Sequence, residues 1–339
     1  MKEYEKTYKK SISYKNSKDK YKCYSKYLLK YMSLFFGFIL IFNDLFVDSS
    51  YIYIQPGTKY IFTFWEPTRK IPGYLKLCIE TWKLFLPEYK IEILDYNKVK
   101  SCLGKKLFST LIDKKMSKSV QADGIRVAIL QKYGGIWLDT DTIVLGREFL
   151  NDLKNTELAM FGDTINKSQH IGFIYAKNNS ILINEWFQQI ISKANNYKKV
   201  ISKKRLINDI NWKNSFKKVY RWNMYGNEIV DPLLRNITNK KYYSRLDKYE
   251  MNILPEYKYF ENTNLDNSQR YQLFYFKKGD LEYIIKNDKK GIILLHNSWT
   301  PKKYRKMTAK RFIKQDVRIA KLLSKILNGT RLYISKNKK

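Results

Sequence analysis

Histidine and cysteine are nearly absent from this sequence: two His and three Cys among 339 residues. With only His170 and His296, metal chemistry built on histidine clusters is excluded. Cys23, Cys78 and Cys102 lack the paired spacing of a zinc site or a disulfide framework, which points to a reducing compartment. Glycine and proline are scarce as well, at 14 and 7. Acid is in short supply, 31 Asp and Glu against 65 Lys and Arg, for a formal net charge of +34. A bias toward Lys, Asn, Ile and Tyr discounts part of that charge. The remainder calls for an anionic neighbour: nucleic acid, anionic lipid or a phosphorylated small molecule. Disorder is excluded by a chain that is 44% hydrophobic and 16% aromatic, long enough to bury a substantial core.

Three regions follow from the pattern. Residues 1–54 combine a basic arm, Met1 to Lys30 with ten Lys, and an apolar run whose uninterrupted part is Leu34 to Phe42. That run is shorter than the roughly 20 residues of a spanning helix and is broken by Asn43-Asp44. A docking helix, an interfacial membrane helix and a short N-terminal anchor all stay open. Residues 55–301 alternate strand and helix patterns. "KYIFTFW", "KIEILDY", "IWLD" and "HIGFIYA" read as strands. "GYLKLCIETWKLFL" and "SVQADGIRVAILQKYGG" read as amphipathic helices, the second with Ile125, Ala128, Ile129 and Tyr133 on its core stripe and Gly134-Gly135 as its C-terminal cap. Such alternation predicts an α/β sheet. Residues 302–339 carry fourteen Lys and Arg against one acid, Asp316, and predict a basic amphipathic helix suited to the protein surface or to anionic lipid.

Against this basic background, "KYGGIWLDTDTIVL" places Asp139 and Asp141 just beyond a buried strand, where open α/β sheets bind ligands. Strand geometry would aim residues i and i+2 the same way. Two carboxylates that close repel unless a cation sits between them, and Asp oxygens suit Mg²⁺ or Mn²⁺. Asp123 and Arg126 lie three apart on the preceding helix and share a face. The glycine cap turns the chain so that this helix end and the strand end border one cleft.

The block Asp123, Arg126, Gly134, Gly135, Asp139 and Asp141, with "TFWEPTRKIPGYLKLCIETWKLFLPEYKIEILD" before it, resembles the capsular polysaccharide synthesis proteins. These are bacterial glycosyltransferases related to glycosyltransferase family 32 and the large clostridial glucosylating toxins. The likeness is good from about Lys59 to Asn179. It implies a GT-A-type, Rossmann-like mixed sheet flanked by helices, a nucleotide-sugar donor (a UDP-sugar favoured), a divalent ion and retention of anomeric configuration. By the same likeness Asp141 would bind the metal and Asp139 the ribose and the metal shell. Asp123 and Arg126 would hold donor sugar hydroxyls, and Trp65 would stack on the base. In "ILLHNSWTP", Trp299 matches a donor-side tryptophan, and His296 is a candidate third ligand that would favour Mn²⁺. Where relatives carry a small polar residue and a Gly-Pro element, this chain has "VDPLLRNIT", so the acceptor side is left without a match.

Two other readings compete. "LDTDT" also fits a haloacid-dehalogenase-type phosphatase, with Asp139 as nucleophile and Asp141 as acid, although "GDTINK" lacks the second metal aspartate that fold needs. A non-catalytic nucleic-acid-binding protein rests on charge alone, without a recognition motif. The reading favoured is a metal-dependent glycosyltransferase at the cytoplasmic face of a membrane. It would act on a glycan or lipid-linked glycan acceptor and bind an anionic membrane surface, not nucleic acid.

Overall fold

The structure, a computed structural model, describes residues 54–55, 57–162, 168–206, 221–235, 237–249, 264–279 and 291–336. The basic arm and the apolar run before Gln55 lie outside the described residues, as does most of "GDTINK". Strands β1 (Tyr60–Phe64), β2 (Lys90–Leu94), β3 (Gly135–Leu138), β5 (Leu158–Gly162), β6 (Gln169–Ala176) and β7 (Tyr243–Arg245) form one sheet in the order β2-β1-β3-β6-β5-β7. Its first three strands are parallel, β6 runs antiparallel to β3 and β5, and β7 is parallel to β5. Strands β4 (Thr142–Val144) and β8 (Ile292–Leu294) make a separate antiparallel pair. The mixed α/β sheet read from the sequence is thus present.

Helix α1 (Gly73–Phe85) follows β1, and two short helices, α2 (Tyr96–Leu103) and α3 (Lys105–Leu111), follow β2. Next come α4 (Lys118–Tyr133), α5 (Ile181–Leu206), α6 (Asn227–Leu234), α7 (Asn267–Tyr275) and α8 (Arg318–Lys336). Strand period explains how the sheet is covered. Phe62, Trp137, Met160 and Ile174 face Val127 and Leu130 of α4 and Ile183 and Trp186 of α5. Their neighbours Ile61, Ile136, Leu138 and Phe173 face the other way, onto Ile79 and Trp82 of α1.

Helix α4 departs from the amphipathic expectation. Its buried residues include Gln121, Asp123 and Arg126 as well as Ile125, Ala128 and Ile129, because it lies between the sheet and α5 and has little solvent face. Ser117 caps its start, its Oγ accepting from Val120 N at 3.4 Å. At its end Gly134 (φ +66°) and Gly135 (φ +101°) take left-handed backbone. A Cβ on Gly134 would sit 2.6 Å from Asn178 N, and one on Gly135 would sit 2.8 Å from Tyr60 O. Only glycine allows helix and strand to close this tightly.

The C-terminal region differs from the single helix expected. It forms two short helical turns, Lys302–Arg305 and Ala309–Phe312, before α8. Phe312, Ile319, Ala320 and Leu323 pack with Tyr74, Leu75 and Cys78 of α1, so this apolar face closes the core of the described residues. Among the described residues, no helix is long and apolar enough to cross a membrane.

Candidate active site

β3 ends at Leu138, and Asp139, Thr140 and Asp141 lie on a turn closed by Thr142 N donating to Asp139 O at 2.9 Å. The expectation that Asp139 and Asp141 share one strand face fails for this reason: the turn lets their carboxyls engage different neighbours. Asp139 Oδ1 accepts from Trp137 Nε1 at 2.9 Å and meets Arg126 Nη2 at 3.3 Å. Asp141 Oδ2 accepts from Asn297 N at 2.7 Å, on the segment that follows β8.

Arg126 is the hinge of the cluster. Its Nη2 reaches Asp123 Oδ1 at 3.0 Å, its Nη1 donates to Ile171 O, and its guanidinium lies 5.4 Å from the Trp137 ring centroid. Asp123 and Arg126 are 5% and 4% exposed, so the pair is a buried one and not a solvated helix pair. One turn of α4 places both side chains on the face toward the turn after β3, where Arg126 meets Asp139. Burial pushes the Asp123 carboxyl up to about 7, with Arg126 opposing and Asp139 adding to the rise.

Asp141 is pushed up to about 7 as well, by burial first and then by the charge of Asp139, while the Asn297 N–H works against the shift. This partly buried carboxylate, destabilised by its neighbour, is short of positive charge. A hard divalent cation would supply it, and Asp oxygens are suitable ligands, so the pair fits such an ion chemically. Among the described residues no group of three or more His, Cys, Asp or Glu side chains is gathered to hold a metal. His296 is therefore not assembled with the two aspartates as a ready three-ligand set. Two protein carboxylates with further positions left to phosphate oxygens and water is the pattern Mg²⁺ and Mn²⁺ tolerate.

The segment after β8 brings other expected residues close. Leu295 N donates to Asp141 O at 3.2 Å, and Tyr74 OH donates to Asn297 Oδ1 at 2.5 Å. The ring of His296 lies 4.0 Å from that of Trp299 and 5.9 Å from that of His170, and the His296 backbone N–H donates to Tyr271 OH at 3.3 Å. Helix α1 fixes the ribbon that carries Asp141: Trp82 Nε1 donates to Thr142 O at 2.7 Å, and Thr81 Oγ1 accepts from Val144 N at 3.0 Å. Trp65 and Trp299 are partly buried against one apolar cluster that contains Tyr74 and Leu295. Trp65 therefore has core contacts as well as an open part.

Two residues escaped the sequence reading. His170 and Gly172 stand on β6, beside the turn: Asp139 N donates to Gly172 O at 2.8 Å, and Gly172 N donates to His170 Nδ1 at 3.2 Å. A Cβ on Gly172 would come 2.8 Å from His170 Cε1 and 3.2 Å from Asp139 Oδ2. The lone glycine inside the strand pattern "HIGFIYA" was the available signal, since such a glycine marks close backbone approach. Which carboxylate it approaches depends on the pairing of β3 with β6.

Comparison with known proteins adds a family. The profile of the family described as "Capsular polysaccharide synthesis protein" matches residues 5–274. Among solved structures, the glycosyltransferase GlyE of Streptococcus pneumoniae TIGR4 is similar at 14% identity and a TM-score of 0.38, over 79% of this chain and 60% of its own. PaToxG, a glycosyltransferase, is similar at 18% identity and a TM-score of 0.30, over 52% of this chain and 68% of its own. The galactosyltransferase LgtC, solved with donor and acceptor sugar analogs, is similar at 13% identity and a TM-score of 0.32, over 62% and 82%. No curated protein matches.

Proposed function

We propose a function from one premise: the chain belongs to the capsular polysaccharide synthesis protein family. The chain is a glycosyltransferase that moves a sugar from a nucleotide-sugar donor to a surface glycan acceptor, of capsular or lipopolysaccharide type, with retention at the anomeric carbon. The observation that carries this reading is the acidic pair on the turn beyond β3, Asp139 held by Arg126 and Trp137 and Asp141 by the Asn297 N–H. An acidic pair held in this state inside a basic protein is suited to bind a cation that in turn meets a diphosphate.

Asp139 and Asp141 would hold the divalent ion, Mn²⁺ or Mg²⁺, which when bound supplies a Lewis acid for the charge on the leaving diphosphate. Arg126 orients Asp139 through Nη2 and is itself held by Asp123 and Ile171 O. Trp137 fixes the same Asp139 oxygen. Asn297 N–H anchors Asp141, so that the carboxyl keeps one orientation. Trp65 and Trp299 offer partly open aromatic surface for the donor. Asp123 Oδ1 is engaged by Arg126, and front-face displacement is the mechanism proposed, since it requires no attacking carboxylate. The phosphatase and nucleic-acid readings have no support in the family.

Association with an anionic membrane surface belongs to the proposal as well, through the basic C-terminal segment. The test of the whole is hydrolysis of a panel of sugar nucleotides with Mn²⁺ or with EDTA, for the parent and for Asp141→Asn. Turnover of one donor, lost in EDTA and in the variant, is expected. Equal turnover with and without metal would sink the reading.

A further inference from the structure

A cavity of about 1340 Å³ lies against edge strand β7, and none of the site aspartates at the β3 turn lines it. Five cations do: Arg235, Lys240, Lys241, Arg245 and Lys248, against two carboxylates, Asp152 and Asp231. Their partners divide them. Lys248 Nζ is 2.8 Å from Asp152, and Arg245 Nη2 is 2.6 Å from Asp247. Asp231 is committed elsewhere, accepting from Gln169 N at 2.9 Å and from Asn227 Nδ2 at 3.1 Å. Among the described residues, Arg235, Lys240 and Lys241 are left without a carboxylate. At the inner wall Gln169 is clamped from two sides, its N–H by Asp231 and its Oε1 by the Tyr243 hydroxyl. The side chain so held is part of the cavity lining.

The cavity is also close to the chemistry. Gln169 begins β6, and Gly172, three residues along that strand, accepts the Asp139 N–H. Three extended residues span about 10 Å, a distance that one or two sugar units bridge.

We propose that this cavity is the acceptor site and that the acceptor carries a phosphate or diphosphate group, held by Arg235, Lys240, Lys241 and the Gln169 amide. The inference rests on the glycosyl-transfer reading. In the step it serves, an acceptor hydroxyl oxygen bonds to the anomeric carbon of the donor sugar. The bond from that carbon to the diphosphate oxygen breaks with its electron pair, and the hydroxyl proton leaves with the diphosphate. An anionic anchor at the far end of the acceptor fixes which hydroxyl reaches the donor. It also explains why positive charge gathers here without acid to match it.

The experiment titrates inorganic pyrophosphate, and separately an alkyl-diphosphoglucose and octyl glucoside, into the full chain in EDTA, where no cation can draw a diphosphate to Asp139 and Asp141. The parent should bind pyrophosphate and prefer the diphosphate sugar to octyl glucoside. With Arg235→Gln, Lys240→Gln and Lys241→Gln together, both effects should weaken about tenfold or more, the loss of at least one charge-assisted hydrogen bond. Asp141→Asn should bind pyrophosphate as the parent does. No binding by the parent, binding retained by the triple variant, or binding lost with Asp141→Asn would overturn the proposal. So would a triple variant whose only defect is toward phosphatidylglycerol vesicles, because the cations would then serve a lipid surface. Pyrophosphate binding is read without donor or metal, so it stands or falls separately from donor hydrolysis.

Discussion

Replacing Asp141 by Asn in the absence of divalent ions should make the fold more stable at pH 8. The Asp141 carboxyl titrates near 7 in the folded chain against an ordinary 3.8, because burial and Asp139 disfavour its charge. Between those values the folded state keeps a proton that the unfolded state has released. Stability is therefore full below about pH 4, falls as pH rises toward 7, and stays low above it. At about 1.4 kcal/mol per pH unit the interval amounts to about 4 kcal/mol. Asp141 is partly open to solvent, so a gain of about 2 kcal/mol is the realistic expectation. Asn keeps the oxygen that accepts the Asn297 N–H and lacks the charge. Urea unfolding in EDTA at pH 5 and pH 8 measures the effect, and the gain should be larger at pH 8. Adding Mn²⁺ should stabilise the parent by mass action and leave the variant nearly unmoved. A variant less stable than the parent at pH 8 in EDTA, or one stabilised equally by Mn²⁺, would refute the idea that this carboxylate awaits a cation.

Arg126→Met should cost up to about 3–5 kcal/mol at pH 8, since it leaves the buried Asp123 carboxyl without its partner, and less at lower pH, where that carboxyl takes up a proton. Adding Asp123→Asn should recover a large part of that loss, and a double-mutant cycle by chemical denaturation checks it. Gly134→Ala forces a side chain into left-handed backbone 2.6 Å from Asn178 N. Strain alone is worth about 1–2 kcal/mol, and a drop in melting temperature of several degrees or more is expected by calorimetry. An unchanged transition would show that the α4–β3 corner relaxes freely.

Much of the site was legible before any fold was known. The Asp123–Arg126 spacing on a helix, the glycine pair that ends it and the acidic pair beyond a short apolar strand are local patterns, and local patterns follow from helix and strand periods. Nothing local said that α4 would be buried on nearly every side, so that burial raises the Asp123 carboxyl to about 7 despite its Arg126 partner. Nor did period two anticipate that Asp139 and Asp141, beyond Leu138, would lie on a turn. His170 entered the site only because β6 pairs with β3, a contact set by sheet order, to which sequence distance gives no guide.

What the sequence determined alone was the chemistry on offer: carboxylates, one arginine, a glycine corner and an excess of lysine, each at a fixed place along the chain. Long-range packing decided how those groups were used. It brought Asn297, on the segment after β8, to hold Asp141, covered Arg126, and left Arg235, Lys240 and Lys241 in a cavity beside β7 without a carboxylate partner among the described residues. The physical reason is that burial and charge coupling depend on distances in space, and those exist only after the sheet has closed.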